Sequence, residues 1–168
     1  MSSVIVRNRH GSLSLLLALC ALLLGPACNA AEFAPAQLKG FPRSTLGIVR
    51  HDGRDEFKIW VADTGPRQQQ GLMFVRDLPA DYGMLFPLVE IRVMSMWMKN
   101  TYVALDMVYI GVDGRIAAIA ANTTPLSEAI VSFPVPVQAV LELKAGECAR
   151  RGIRAGDRVE HPLIADRR

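Results

Sequence analysis

Three ionisable side chains lie inside apolar runs of this sequence, and they are the residues best placed to do chemistry. Lys99 follows a Met-Trp-Met triplet, Asp106 interrupts the run VALDMVYI, and Glu142 interrupts the run VLEL. A lone charge in a protein interior costs several kcal/mol, so such groups must be paired, hydrogen-bonded or open to solvent. The sequence therefore predicts either a buried ion pair or a polar pocket.

The structural hypothesis is an ion pair between Lys99 and Asp106. If the predicted strands 97–101 and 105–109 are neighbours, the bend between them permits that contact. Buried charges in β-proteins are commonly satisfied in this way. Under this hypothesis the charged groups hold the fold together and bind nothing.

The functional hypothesis is that the same polar side chains converge on one pocket. Lys99, Asn100, Asp106 and Glu142 would provide its polar groups, and Trp97 would form an apolar wall. A few polar groups in an apolar pocket are typical of a small-molecule site. We therefore predict a ligand-binding site at these five residues.

A catalytic alternative uses the same groups. Asp106 or Glu142 would act as general base, and Lys99 as acid or electrostatic stabiliser, its pKa shifted by burial. The sequence contains no recognisable nucleophile elbow, glycine-rich phosphate loop or Ser/His/Asp spacing. No residue is therefore assigned as catalytic, and His51 and His161 are predicted to lie at the surface.

Three alternating methionines suggest a further alternative. A strand would place Met94, Met96 and Met98 on one face, and soft thioether ligands in an exported protein favour Cu(I). Methionine is also common core filler, and no histidine or cysteine neighbours the run. Copper is retained as a possibility, but no metal site or cofactor is predicted.

The elements that must position these residues are mostly short strands. Asp52-Gly53 and Asp113-Gly114 favour hairpins between the predicted strands 45–50 and 56–62 and between 103–112 and 115–121. Further strands are expected at 82–86, 93–101, 137–143 and 158–164, with a helical turn at 126–131 in a long connection. Short helices are expected near 63–71 and 146–151. The predicted fold is mainly β, a compact antiparallel β-barrel or jelly-roll-like sandwich with two short helices.

The N-terminal segment is predicted to direct export. Residues 1–30 combine a basic start, the apolar run 13–24 and small residues before a cut after Ala30, which is typical of a secretory signal peptide. An alternative is a lipoprotein in which Cys28 is acylated. Residues 31–44 are expected to be a flexible lead-in, and 45–168 a single β-rich domain with an extracytoplasmic, most simply periplasmic, location.

Composition excludes some partners. The formal net charge of +3 includes Arg7 and Arg9, and without them 17 basic side chains face 16 acidic ones. This balance argues against nucleic-acid binding, and no membrane-spanning segment is expected after signal removal. Cys148 would then be the only cysteine, and we expect it to be buried.

An ordered set of short motifs carries a resemblance to a known family. The motifs are Gly71-Leu72-Met73-Phe74, Gly83-Met84-Leu85-Phe86, Trp97-Met98-Lys99-Asn100-Thr101, Leu105-Asp106, Asp113-Gly114-Arg115-Ile116, Val140-Leu141-Glu142-Leu143, Ala145-Gly146, Gly152-Ile153 and Gly156-Asp157. Over 57–162 the chain resembles the bacterial and archaeal domain of unknown function 192 family (DUF192). Gln70 and Val75 stand where the family commonly has arginine.

The resemblance implies a compact β-barrel or jelly-roll-like fold, frequent export and no assigned activity. Combined with the charged residues in the strands, it leads to one functional expectation. The domain is predicted to be a non-catalytic binding module for a small polar or cell-envelope ligand. An envelope enzyme is the alternative.

Overall fold

The structure is a computed structural model, and it describes Met1 and residues 32–165. The predicted signal peptide, apart from Met1, and Cys28 lie outside the described residues. Two units are distinguished, residues 1–32 and 33–168, and the second contains the fold.

The described part of the second unit contains nine strands and two short α-helices. In chain order they are β1 (Arg43–Arg50), β2 (Gly53–Val61), α1 (Gly65–Gln70), β3 (Tyr82–Arg92), β4 (Ser95–Met96), β5 (Leu105–Gly111), β6 (Ile116–Ala120), β7 (Val131–Ser132), β8 (Val137–Lys144), α2 (Glu147–Arg151) and β9 (Arg158–Glu160). The predicted mainly β fold with two short helices is confirmed.

Seven of these strands form one sheet in the order β6-β5-β8-β3-β2-β1-β9, and β4 pairs with β7 separately. One pair departs from the predicted antiparallel pattern, because β2 and β3 run parallel. The connection between them crosses over through α1, as a parallel pair requires. The outer strands approach at a single bridge between Arg115 and Arg158, and over the described residues the sheet is sandwich-like and does not close into a barrel.

The two faces of the sheet carry separate apolar cores. We call the first the inner core; it is formed by Leu46, Ile48, Phe57, Ile59, Val61, Leu85, Val108, Ile110, Ile116, Ala139, Leu141, Leu143, Cys148, Ile153 and Val159. We call the second the loop-side core, because the connecting segments also contribute to it. Its buried members are Leu38, Phe41, Trp60, Ala62, Leu72, Val75, Leu78, Tyr82, Met84, Phe86, Met96, Met98, Leu105, Met107, Tyr109, Val137 and Val140.

Residue parity along β8 assigns side chains to these cores. Leu141 and Leu143 belong to the inner core, whereas Val140 belongs to the loop-side core. Successive strand residues point to opposite faces. Glu142 therefore points to the loop-side face, into an otherwise apolar layer.

The segment expected to be a flexible lead-in contributes to the loop-side core. Phe33 packs edge-on against Trp60 and Tyr82, with ring centroids 6.0 and 5.4 Å away. Leu38 and Phe41 are buried. The part of the chain that packs on the sheet thus begins about ten residues earlier than the sequence pattern indicated.

Two connections differ from expectation. The segment 93–101 is a strand only at Ser95–Met96, and the segment 126–131 contains no helical turn but leads into β7. Both are held by contacts distant in sequence: the Met98 amide donates to the Ser127 carbonyl at 2.9 Å, and the Leu126 amide to the Thr101 carbonyl at 3.1 Å. Local propensity does not encode such pairings.

Candidate functional site

Glu142 is the most unusual side chain of the domain. It is 4% exposed, and no group in residues 32–165 hydrogen-bonds its carboxyl or forms an ion pair with it. No fully enclosed side-chain oxygen among the described residues lacks a hydrogen bond. The carboxyl oxygens are therefore reached from a cavity, where they can bind water or a ligand.

That cavity, which we call the Glu142 cleft, has a volume of about 90 Å³. One water molecule needs roughly 10–15 Å³ of such cavity volume, so the cleft has room for several waters or for a small chemical group. The cleft is lined by Gln68, Gln69, Gln70, Gly71, Leu72, Met73, Phe86, Met94, Ser95, Met96, Trp97, Lys99, Thr101 and Glu142. Its walls combine amide, hydroxyl, thioether and aromatic groups with one acid and one base.

Helix α1 and the turn after it form one wall. The helix begins at Thr64, whose hydroxyl accepts from the Arg67 amide at 3.5 Å, with Pro66 in the first turn. It ends at Gly71, which has a φ of +50°. A Cβ at Gly71 would lie 3.2 Å from Cζ of Phe86, so glycine allows the chain to turn against that ring. The side chains of the last helical turn are thereby brought to the cleft.

The opposite wall is a tight turn at residues 98–101. The Thr101 amide donates to the Met98 carbonyl at 3.0 Å, which places Lys99 and Asn100 at the tip. Nζ of Lys99 lies 5.2 Å from the centroid of the Trp97 ring and 3.7 Å from Oε2 of Glu128. With a side chain 41% exposed, Lys99 stands at the mouth of the cleft.

Outside the mouth the cleft continues into a wider depression of about 420 Å³, which we call the outer groove. It is lined by Pro66, Gln69, Gln70, Met73, Phe74, Trp97, Lys99 and Asn100. Phe74 and Trp97 remain 46% and 43% exposed. Large exposed rings beside a cavity are typical of contact surfaces.

The backbone is strained at the outer groove. Phe74 and Asn100 have φ values of +66° and +55°, and the Phe74 amide donates to the Asn100 carbonyl at 2.9 Å. A bulky residue in the left-handed region costs on the order of 1 kcal/mol or more. The strain lies at Phe74, because asparagine adopts this region readily. It holds an aromatic ring in solvent beside the cleft, a pattern found more often at functional sites than elsewhere.

Asp106 does not belong to this site. It faces Leu143 across the β5–β8 pair, whereas Glu142 faces Met107, so the two carboxyl groups lie on opposite faces of the sheet. Asp106 is fully buried, and its oxygens accept from the amides of Asn122 at 2.9 Å and Cys148 at 3.0 Å. The predicted Lys99–Asp106 ion pair is therefore wrong: backbone amides satisfy the acid, and Lys99 pairs with Glu128.

The three methionines do not share one face of a strand. Met94 and Met96 line the cleft. Met98 is buried, and its sulfur accepts from the Thr123 hydroxyl at 3.1 Å. The chain turns just after β4, which breaks the alternation on which the copper alternative depended. Among the described residues no group of three or more histidine, cysteine or acidic side chains could hold a metal ion.

The electrostatics of the cleft follow from burial. Removal from water raises the pKa of Glu142 to about 8, because the charged form is poorly solvated and no cation among residues 32–165 forms an ion pair with it. Burial, and secondarily the charge of Glu142, raises the pKa of Tyr109 to about 12. The Tyr109 hydroxyl donates to the Val131 carbonyl at 2.8 Å. At neutral pH the cleft thus contains a largely protonated acid.

Of the five predicted site residues, the structure brings four together. Trp97, Lys99 and Glu142 line the cleft, and Asn100 lines the outer groove. Sequence reasoning missed the contributions of the glutamines of α1, the Thr101 hydroxyl and Phe86. The three consecutive glutamines at the end of a short predicted helix were the available signal. Nothing local indicated that this helix would lie beside residues 94–101.

The fold of this chain, a small domain built on one mixed sheet, is similar to that of solved structures. A crystal structure of a protein from Sinorhizobium meliloti 1021, provisionally named a transcription regulator, is 39% identical; the match covers 74% of this chain and 97% of that one, with a TM-score of 0.71. A protein of unknown function from Novosphingobium aromaticivorans is 36% identical over 79% of this chain and 94% of its own, with a TM-score of 0.72.

The family follows from a second comparison. The model of DUF192, described as an uncharacterized ACR, matches residues 47–161. The chain belongs to the DUF192 family, as the ordered motifs predicted. A search of curated proteins gave no match. Among the described residues no helix has the length and apolar character needed to cross a bilayer.

Proposed function

We propose that this domain is a binding module for a small ligand that enters the Glu142 cleft and extends into the outer groove. The observation that carries the proposal is the buried Glu142 carboxyl, which opens into a cavity and has no hydrogen-bond or ion-pair partner within residues 32–165. The carboxyl oxygens reach the cleft, because no side-chain oxygen of the described residues is fully enclosed without a hydrogen bond. A ligand group in the cleft can therefore hydrogen-bond a carboxyl that burial keeps poorly solvated.

The surrounding groups support a ligand more than a scaffold. Ionic groups that stabilise this fold are engaged with protein partners, as Asp106 is with two backbone amides and Glu147 is with Arg150 and Arg151. Glu142 has no such partner in residues 32–165. No structural contact among the described residues accounts for a carboxyl at this position, so a functional reason is the more economical explanation.

A catalytic version of this site is favoured by one observation, the raised pKa of Glu142. A carboxyl with a pKa of about 8 suits general acid or base chemistry near neutral pH. A two-carboxylate mechanism with Asp106 does not fit, because the sheet separates the two groups. Glu142 with Lys99 at the mouth is the form of the enzyme alternative that the geometry supports.

We further propose that the domain acts outside the cytoplasm. The support is the sequence of residues 1–30, with its basic start, apolar run and a cleavage motif ending at Ala30. Intact-mass measurement of the protein recovered from the periplasm tests this. A mature N-terminus at Ala31 is expected, whereas an acylated Cys28 would support the lipoprotein alternative.

The test of the binding proposal is an unbiased mass-spectrometric search for small molecules retained by the purified mature domain. Glu142→Leu removes the polar floor, and Glu56→Leu, at an exposed position, is the matched control. A compound should be retained by the unmodified domain and by Glu56→Leu and lost from folded Glu142→Leu. Equal retention by all three proteins, or by none, would contradict the proposal.

A further inference from the structure

We propose that the ligand of this site is a small zwitterion whose ammonium group binds Glu142 and whose acidic group binds Lys99. This inference rests on the proposed binding function and specifies the chemistry of the ligand. The two common sources of such chemistry are α-amino acids and phosphoethanolamine headgroups. Four features of the cleft lead to it.

The first feature is the arrangement of charge. Among the residues that line the Glu142 cleft and the outer groove, Glu142 is the only acid and Lys99 the only base. The acid is 4% exposed at the floor, and the base is at the mouth. A ligand with a positive end directed inward and a negative end directed outward complements both groups.

The second feature is the character of the inner walls. Phe86 and Trp97 contribute aromatic rings, and Met73, Met94 and Met96 contribute thioethers. Aromatic faces attract cations electrostatically, and soft, polarisable thioethers pack favourably around irregular groups. These walls suit an ammonium group that forms its ion pair with Glu142.

The third feature is the weak engagement of Lys99 with the protein. Its ammonium lies 3.7 Å from the Glu128 carboxylate, which is 65% exposed, and exposed ion pairs contribute little to stability. An anionic ligand group can therefore replace Glu128 at small cost. Lys99 would keep its cation–π contact with the Trp97 ring while it binds the ligand.

The fourth feature is size. The cleft of about 90 Å³ admits a small head group, and the outer groove of about 420 Å³ offers the apolar surface of Pro66, Met73, Phe74 and Trp97. A ligand with its two charges only a few bonds apart fits the first space. An apolar substituent on that ligand would lie in the second.

Binding has a proton balance that can be measured. Two charged or titratable side chains face Glu142: Tyr109 on β5 and Lys99 in the turn at residues 98–101. The other neighbouring elements contribute uncharged groups, the glutamines of α1 and Met84 and Phe86 of β3. The free carboxyl is largely protonated at pH 7. When the ligand ammonium enters, Glu142 releases its proton to solvent and the carboxylate pairs with the ammonium.

The experiment is titration calorimetry of the mature domain with four probes. Phenylalanine and phosphoethanolamine are zwitterions, N-acetylphenylalanine lacks the ammonium, and phenylethylamine lacks the acid. At least one zwitterion should bind at least tenfold more tightly than both single-charge probes. Tighter binding of phenylalanine would indicate an α-amino acid, and tighter binding of phosphoethanolamine would indicate a headgroup of that type. Titrations in buffers of different ionisation heat should show about one proton released per ligand at pH 7.

Variants assign the contacts. Glu142→Gln and Lys99→Met should each weaken binding of the zwitterion at least tenfold. Lys144→Met is the matched control, because Lys144 has a similar weak pair, 3.8 Å from Asp77, and does not line the cleft; its affinity should be unchanged.

The inference is overturned if neither zwitterion binds, if N-acetylphenylalanine binds equally well, or if Glu142→Gln leaves the affinity unchanged. Should the mass-spectrometric search find a ligand that lacks one of the two charges and is lost from Glu142→Leu, the binding function stands and the zwitterion does not. If no compound is retained and no probe binds, both proposals fail.

Discussion

At the scale of single residues, Glu142 and Asp106 show how similar carboxyl groups acquire different roles. Both interrupt apolar strands and both are buried. Asp106 accepts two backbone hydrogen bonds, which ties the loop at Asn122 and the start of α2 to β5. Glu142 accepts none from the described residues, so its free energy depends on its protonation state and on the contents of the cleft.

Stability should fall with rising pH because of Glu142. Its pKa is about 8 in the folded protein against 4.5 for an ordinary glutamate, so between these values the folded state binds more protons than the unfolded state. The stabilising effect is fully present below about pH 4.5 and is lost as the pH rises through 8, by roughly 1.4 kcal/mol per unit of pKa difference.

Urea unfolding at pH 5, 7 and 9 checks this expectation. Glu142→Gln should remove this pH-dependent component. The unfolding free energy of the variant minus that of the unmodified protein should therefore rise by a few kcal/mol between pH 5 and pH 9. Glu56→Gln, at an exposed position, should parallel the unmodified protein. A constant difference between Glu142→Gln and the unmodified protein across the pH range would contradict the assignment.

Asp106 should matter for folding and not for binding. Asp106→Ala leaves the amides of Asn122 and Cys148 without their acceptor, and we expect a loss of about 3 kcal/mol in unfolding free energy. Asp113→Ala removes an exposed carboxylate that accepts from the Arg115 amide, and should cost less than about 1 kcal/mol. If Asp106→Ala folded but did not bind the zwitterion, while Asp113→Ala bound it with normal affinity, Asp106 would belong to the site after all.

At the scale of elements, sequence patterns identified the turns and helices that depend on neighbouring residues, and missed the pairings between residues distant in sequence. Both predicted hairpins are present. Gly114 has a φ of +73° in the turn from β5 to β6, as predicted from turn chemistry. The turn from β1 to β2 lies one residue earlier than predicted, at His51-Asp52, because Gly53 already pairs with Arg50. Helix α1 was visible from its cap, its proline and its terminal glycine. The parallel β2–β3 pair and the irregular segment after β3 were not visible, because they depend on contacts between distant residues.

The candidate site divides in the same way. Charged residues in apolar runs identified Lys99 and Glu142 correctly as unusual. The sequence could not indicate which face each strand presents to which neighbour, and so it grouped Asp106 with them. Alternation along β8 and its register with β5 decide that question.

Gly83 should be essential to the packing that positions Glu142. A Cβ at Gly83 would lie 2.6 Å from the Glu142 carbonyl oxygen, and backbone cannot yield as a flexible side chain does. Gly83→Ala should therefore lower the unfolding free energy by about 1–3 kcal/mol or more. Gly111→Ala is the control, since its nearest neighbour is an Asp113 side-chain oxygen at 3.2 Å; equal melting temperatures for the two variants would contradict this account.

At the scale of the whole molecule, residues 33–42, which precede the first strand, are part of the fold. Phe33, Leu38 and Phe41 cover Trp60 and the loop-side core. Their removal exposes a large apolar area of the sheet, and burial of one such side chain contributes about 1.5–3 kcal/mol.

Two truncations test this role. A chain that starts at Phe33 should unfold at the same urea concentration as the mature protein, whereas one that starts at Arg43 should be destabilised by several kcal/mol. The loss should appear in urea unfolding followed by the fluorescence of Trp60. Equal midpoints for the two truncations would show that residues 33–42 contribute nothing.

The alternation of β8 also limits how this protein can change during evolution. Because neighbouring positions from Ala139 to Leu143 enter different compartments, insertion or deletion of one residue within this stretch would exchange the occupants of the two sides. A carboxyl would then enter a dry hydrocarbon layer, and a leucine would fill the Glu142 cleft. Viable length changes are therefore confined to the connections, and the spacing between Val140 and Leu143 is fixed by two requirements at once.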